Sequence, residues 1–199
     1  MTLEQQSPKK QSLHLLLVIA AVVGFGFLFA YFQHENLDNR VNFSLTDGSG
    51  KEMTETAFGG KWMIVYFGFT SCPDICPTQT AKVAQTIRLL DKKRLGNAIV
   101  PVFISVDYKR DTPTNINHYL NKFDDRIVGL TGNKAQLDYV VSRFHTHYEL
   151  KADPSAHHGG IDIVHSSMTY IVDPFGKVVD QIAFGYDPLF LANHIETLL

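Results

Sequence analysis

Residues 62–77 read WMIVYFGFTSCPDICP, and this stretch decides the fold. Its first six residues, Trp62–Phe67, are apolar without a break and rich in strand formers, the pattern of a strand covered on both faces. Cys72 and Cys76 follow, with three residues between them. Pro77 then begins a stretch to Leu90 with helical periodicity, and proline suits the first turn of a helix, where its missing N–H has no partner to lose. A buried strand, a cysteine loop and a helix in that order put both sulfurs at a helix N-terminus. Free N–H groups point at them there, and the helix dipole adds about half a positive charge, so thiolate is favoured. Thiolate is the form that attacks disulfides and the form that binds soft metals.

Working outward, the pattern is mixed α/β. Val41–Leu45 and the turn Asp47-Gly48-Ser49-Gly50 predict a hairpin. Ile99–Val106 reads as a second buried strand, Asn115–Phe123 and Lys134–Phe144 as helices, and Ile127–Leu130 as a short strand between them. Ser167–Val172 and Lys177–Phe184 flank the turn Asp173-Pro174-Phe175-Gly176, and Pro188–Leu198 closes the chain as a helix. Strand–helix–strand, then a hairpin and a helix, is the order of an α/β, thioredoxin-like domain over residues 41–199.

Leu15 to Phe32 reads LLLVIAAVVGFGFLFAYF, eighteen residues without a charge. As a helix it would span roughly 27 Å, close to the hydrocarbon core of a bilayer. A buried core helix would show an amphipathic period, which is missing. A cleaved signal peptide would end in a small-x-small site, and no convincing one follows Ala30. The reading adopted is an N-terminal single-pass transmembrane helix over 15–32, with 1–14 as a cytoplasmic N-terminus and 33–40 as a linker. Lys9 and Lys10 precede the span, while Glu35, Asp38 and a lone Arg40 follow it, so the positive-inside bias sends the C-terminal domain outward. A bacterial inner membrane fits best, with the domain in the periplasm, where disulfides persist.

Composition narrows the chemistry. The 199 residues allow one domain plus an appendage. Lys+Arg 18 against Asp+Glu 20 removes any reason to expect nucleic acid as a partner. Two cysteines cannot staple a miniprotein or fill a four-thiolate zinc site. Three readings of the pair stand: a structural disulfide, a dithiol/disulfide couple, and a metal-binding dithiol with redox chemistry as a second property. The last is favoured, because structural bridges usually join distant segments. Copper accepts soft sulfur at low coordination number, and an added imidazole stabilises Cu(II) as well as Cu(I).

Of the nine histidines, His14 lies at the apolar span and His34 in the linker. His118 and His194 fall in surface helices and read as solvated. His145 and His147 follow the Lys134 helix, and His157 and His158 lie in a Pro/Gly/Ser-containing loop. His165 stands apart, just before the strand Ser167–Val172, where a thioredoxin-like sheet brings the chain near the cysteine loop. It is either a third ligand or an ordinary histidine at the start of a strand. Asp74 either orients the loop or is a plain helix-start carboxylate, and a third anion beside two thiolates on Cu(I) argues against it as a ligand. Phe67 and Phe69 read as core and wall residues.

Cys72-Pro73-Asp74-Ile75-Cys76-Pro77, preceded by Val65-Tyr66-Phe67-Gly68-Phe69-Thr70, resembles the signature of the Sco/SenC copper chaperones. The likeness extends to Phe43-Ser44-Leu45-Thr46-Asp47, Gly60-Lys61, the run Ser105 to Pro113, His165-Ser166-Ser167 and Asp173-Pro174-x-Gly176. The resemblance implies one copper ion, Cu(I) or Cu(II), held by Cys72, Cys76 and His165. It also implies a role in assembling the binuclear copper site of cytochrome c oxidase, with that copper-site subunit as recipient and a periplasmic copper donor or thiol reductant upstream. One departure stands out: Tyr108-Lys109 replaces the usual Pro-Glu, which points to altered partner contacts with the ligands intact. The chain is thus first a metal-binding assembly factor, with thiol–disulfide reductase activity as a further possibility in which Cys72 attacks and Cys76 resolves. A tethered thiol–disulfide oxidoreductase without copper delivery, a copper or redox sensor, and a peroxide-consuming enzyme are the alternatives.

Overall fold

The structure, a computed structural model, describes residues 17–29, 31, 40–152 and 161–199. The chain divides into two units, Met1–Asn39 and Arg40–Leu199. In the first, residues 17–29 form helix α1, and every side chain along it is exposed, Phe27 to 78%. Among the described residues no helix is long and apolar enough to cross a membrane. The anchor expected over 15–32 runs past the described stretch at both ends, and the expected 1–14 segment lies outside it, as does the linker except for Arg40.

The second unit is built on one mixed sheet. β1 (Ser44–Asp47) and β2 (Glu52–Thr54) form the hairpin expected around Asp47-Gly48-Ser49-Gly50. Asp47 holds that turn through Oδ1, which accepts from Ser49 N at 2.8 Å and Lys51 N at 3.0 Å. Next come β3 (Trp62–Gly68), helix α2 (Ile75–Lys92), β4 (Ile99–Ser105), α3 (Pro113–Leu120), β5 (Val128–Thr131) and α4 (Lys134–Arg143). β6 (Tyr148–Ala152) and β7 (Ile161–His165) form a separate two-stranded sheet. β8 (Met168–Val172), β9 (Val178–Ala183) and α5 (Pro188–Leu198) complete the fold. The main sheet runs β2-β1-β5-β4-β3-β8-β9, with β3, β4 and β5 parallel and its other pairings antiparallel.

β3 reads as a continuous apolar run because it is central and covered twice. Val65 and Phe67 face one core with Leu137, Val140 and Val141 of α4. Ile64 and Tyr66 face the other with Val83 and Ile87 of α2, Ile116 of α3 and Leu191 of α5. Alternate residues go to opposite faces, and both faces are dry, so no polar residue breaks the pattern.

The elements sit close to their expected positions. α2 starts two residues earlier than expected, at Ile75, and α3 begins at Pro113. Thr112 sets that start by a reciprocal cap: its Oγ1 accepts from Asn115 N at 3.3 Å, and Asn115 Oδ1 accepts from Thr112 N at 2.7 Å. The β6–β7 hairpin is new. Its strands are only five residues each, and the loop with Pro154 and Gly159-Gly160 between them hides their alternation.

Gly68 ends β3 directly beneath the cysteine loop. A Cβ there would stand 2.7 Å from Phe103 Cε2 and 3.1 Å from Cys76 Sγ. Gly68→Ala should therefore cost roughly 1–3 kcal/mol through overpacking. Urea denaturation checks this, and an unchanged midpoint would show that Phe103 has room to retreat.

Candidate metal and thiol site

Antiparallel pairing places the site. Tyr66 of β3 lies opposite Thr169 of β8. Continued along the chain, that register sets residue 167 opposite 68 and residue 165 opposite 70. The segment His165-Ser166-Ser167 thus passes beside the loop that carries the cysteines. Cys76 Sγ lies 3.7 Å from His165 Nε2, across 89 residues of sequence. His165 stands just before β8, as expected, and also ends β7, a strand the sequence did not announce.

The ring is oriented for coordination. His165 Nδ1 lies 2.9 Å from Ser166 O. A carbonyl only accepts, so Nδ1 carries a proton and the ring is held with its Nε2 edge turned toward Cys76. Phe69 meets the ring edge-on at 5.8 Å between centroids and forms a wall, as its sequence context implied, while Phe67 is core.

The two sulfurs differ sharply. Neither is in a disulfide; Cys76 is 1% exposed and Cys72 is half-buried. Cys72 accepts a hydrogen bond from the Cys76 thiol and further bonds from the backbone N–H groups of Cys76, at 3.4 Å, and Asp74. Those contacts lower its thiol from the ordinary value of 9.0 to about 5 against the opposing effect of burial. The bond to Cys72, together with burial and the charge of the Cys72 thiolate, pushes the Cys76 thiol up. At neutral pH the resting pair is one thiolate and one thiol. The Cys72 sulfur, rather than a carboxylate, takes the N–H groups at the start of α2. Asp74 is the N-cap by backbone position, but its exposed side chain makes no capping bond.

The loop is clamped from below. Asp111, only 7% exposed, accepts from Thr70 N at 2.9 Å, Thr70 Oγ1 at 2.5 Å and Ser105 Oγ at 2.5 Å. Burial pushes its carboxyl above the usual range. On the helix side, Gln79 Nε2 donates to Thr169 Oγ1 at 2.9 Å, and Thr80 Oγ1 donates to Cys76 O at 2.8 Å, tying the first turns of α2 to β8 and to the cysteine. Sequence reasoning gave Asp111, Gln79 and Thr80 no role. For Asp111 a signal existed, a carboxylate six residues after the buried Ser105.

The other candidates scatter. His118 is exposed on α3, and His145 and His147 are exposed beyond α4. His194 departs from the solvated expectation: it is half-buried, its Nε2 lies 2.6 Å from Asp180 Oδ2, and its ring stacks on Phe190. His14, His34, His157 and His158 lie outside the described residues. Tyr108 and Lys109 sit on the loop after β4; Tyr108 shares a cavity with Lys134, Asp138 and Tyr148 rather than with the sulfurs. Among the described residues, no three His, Cys, Asp or Glu side chains already stand as a metal-ready cluster. Cys76 and His165 are in contact, and Cys72 stands half-buried beside them.

A thioredoxin-like fold with a dithiol at a helix N-terminus and an imidazole across from it defines a protein equipped for soft metal ions or for disulfides. The family model for SCO1/SenC matches residues 33–199, and the chain belongs to that family. A SCO2-like protein of Rickettsia felis is 33% identical over 190 residues, covering 87% of this chain and 91% of that one. The crystal structure of Arabidopsis thaliana ScoI with copper bound superposes with a TM-score of 0.73 at 34% identity, over 79% of this chain and 96% of that one. Bradyrhizobium japonicum ScoI with copper bound gives 0.71 at 29% identity, over 80% and 99%.

Two outcomes follow from the thiol asymmetry and the clamp. Iodoacetamide should modify Cys72 first in the folded, reduced, metal-free chain. Its rate should hold from pH 8 down and fall only as pH drops through about 5, where the thiolate is protonated. Peptide mass mapping reads this; equal labelling of Cys76 would contradict it. Asp111→Ala strands a buried backbone donor and should cost roughly 1–3 kcal/mol in denaturant unfolding.

Proposed function

We propose that this chain is a membrane-anchored copper-binding protein that delivers copper to the binuclear copper site of cytochrome c oxidase. It binds one copper ion through Cys72, Cys76 and His165, in a bacterial inner membrane with the C-terminal domain in the periplasm. The observation that carries the reading is the 3.7 Å contact between Cys76 Sγ and His165 Nε2, with Cys72 beside it. Sulfur and imidazole are the donors that soft, low-coordinate copper selects. Family membership and two relatives with copper bound support it. The exposed, uncharged α1 supports the anchor, since an apolar all-round helix suits lipid.

The chemistry of handling copper follows from the unequal sulfurs. Cys72 is charged and reachable before any ion arrives, so it makes first contact. Cys76 must lose its proton to bind, and that proton leaves as the ion enters. Two thiolates on Cu(I) carry a net single negative charge, and the neutral imidazole adds a third donor without adding charge. Release runs in reverse, with the solvent-facing Cys72 the donor most open to exchange.

The same asymmetry favours a second activity, reduction of the recipient's cysteines. The Cys72 thiolate attacks a target disulfide, one target sulfur leaves and takes a proton, and Cys76 then displaces the other. The chain ends with a Cys72–Cys76 disulfide, and the target gains two thiols and two electrons.

Full chain purified reduced in detergent should bind one copper by metal analysis. Cys72→Ala and Cys76→Ala should retain about a tenth or less, and His165→Ala should lose the Cu(II) absorption while weakening Cu(I) binding. Binding should weaken as pH falls, because protons compete for the donors. Undiminished binding in all three variants would overturn the site. In cells, the protein should resist carbonate extraction and be digested by protease in spheroplasts but not in intact cells; a soluble or cytoplasm-facing product would overturn the placement.

A further inference from the structure

We infer that the outer edge of β7 is a docking strand for an extended, positively charged segment of the protein that exchanges copper with this chain, an inference that rests on the copper reading above. A cavity of about 380 Å3 lies between β7 and the cysteine loop. Four consecutive residues of β7, Asp162–His165, line it. Successive side chains of a strand point to opposite faces, so only the edge of a strand presents four in a row. The hydrogen bonding agrees. Ser166 N donates to His147 O at 3.4 Å, and residues 147 and 166 continue the β6–β7 register of Tyr148 with His165. Bonded pairs alternate along an antiparallel ladder, so the next ones are 149–164 and 151–162. The N–H and C=O groups of Ile163 and His165 therefore point away from β6. Among the described residues the β6–β7 sheet has two strands, and no third strand pairs with that side.

An unpaired edge is a template for another strand, and main-chain bonding to such an edge is a general mode of peptide capture. The walls say what kind of strand. Phe69, Ile75 and Val164 make the cavity apolar, with Ile75 39% and Val164 42% exposed. Among the described residues, its carboxylates are Asp74 and Asp162 and no Lys or Arg lines it. Those two carboxylates make the groove anionic, and it complements a segment bearing cationic side chains. An occupant bonded to Ile163 and His165 turns its side chains alternately toward the sulfurs and away. A cysteine, methionine or histidine on the inward side then stands beside Cys72 while the main chain holds the register. Copper exchange becomes a step between positioned donors rather than a collision between free ones.

The test uses reduced, metal-free full chain in detergent with the blocked peptide acetyl-Lys-Val-Ser-Val-Lys-amide at millimolar concentration. Serine replaces the soft donor, so neither metal nor thiol exchange contributes. Amide hydrogen exchange at Ile163 and His165 should slow about tenfold on saturation. The Glu-Val-Ser-Val-Glu analogue should bind about tenfold more weakly, and Asp162→Lys should weaken the lysine peptide to a similar degree. N-methylation of alternate peptide amides should abolish the protection. Amides already protected without peptide, unchanged exchange at saturation, or equal protection by the N-methylated peptide would each overturn the docking strand. The readout contains no copper, so its failure leaves the ligand set standing, and a failure of copper binding leaves the docking result intact.

Discussion

The pairing of β3 with β8 is the constraint on which the rest depends. β3 ends at Gly68, and the cysteine loop leaves from that end. β8 runs antiparallel to it, so the chain entering β8 must pass the same end. The hydrophobic cores on both faces of β3 hold that register, because a slip by one residue would exchange Val65 and Phe67 with Ile64 and Tyr66 between two packed layers. The meeting of Cys76 with His165 is a consequence of core packing as much as of any bond between them.

Local chemistry then divides the labour between two cysteines. Cys72 lies where backbone N–H groups of the emerging helix converge, and its sulfur takes the place a capping side chain usually fills. Cys76, inside the first turn, is sealed beneath the helix and the sheet. One sulfur is charged, reachable and exchangeable; the other is neutral and held. Such a pair suits a protein that must take up an ion and surrender it, since a site of equally buried thiolates would hold its ion with no exposed donor through which to lose it. Asp111 belongs to this arrangement from a distance. Its carboxyl touches no sulfur hydrogen-bonding position, yet it anchors Thr70 and through it the loop.

β7 links the site to recognition. It ends in His165 and, among the described residues, leaves the N–H and C=O groups of Ile163 and His165 without a strand partner on the side of an apolar, acidic groove. On the proposed reading, a strand that brings both His165 and the open edge couples where a partner binds to where the metal sits.

Much of this was legible in the residues. Trp62–Phe67 announces a central strand because burial on both faces leaves no polar interruption, and the helix after it shows in its apolar spacing. The cysteine pair, its place at a helix start and its thiolate chemistry follow from local order alone, as do the hairpin at Asp47-Gly48 and the turn at Asp173-Pro174. Other features were hidden. Five-residue strands flanking a Pro/Gly loop carry too few alternations to stand out, so β6 and β7 went unread. Asp111 and Gln79 look like ordinary polar residues until the fold buries them against Thr70 and Thr169. His194 looked solvated because sequence does not show Asp180 beside it. By itself the sequence determined the elements, the soft donors and the family resemblance, all of which are local patterns. Only the tertiary structure decided which of the histidines faces the sulfurs, which sulfur is charged, and which strand edge is left open, because each depends on contacts between segments far apart in the chain.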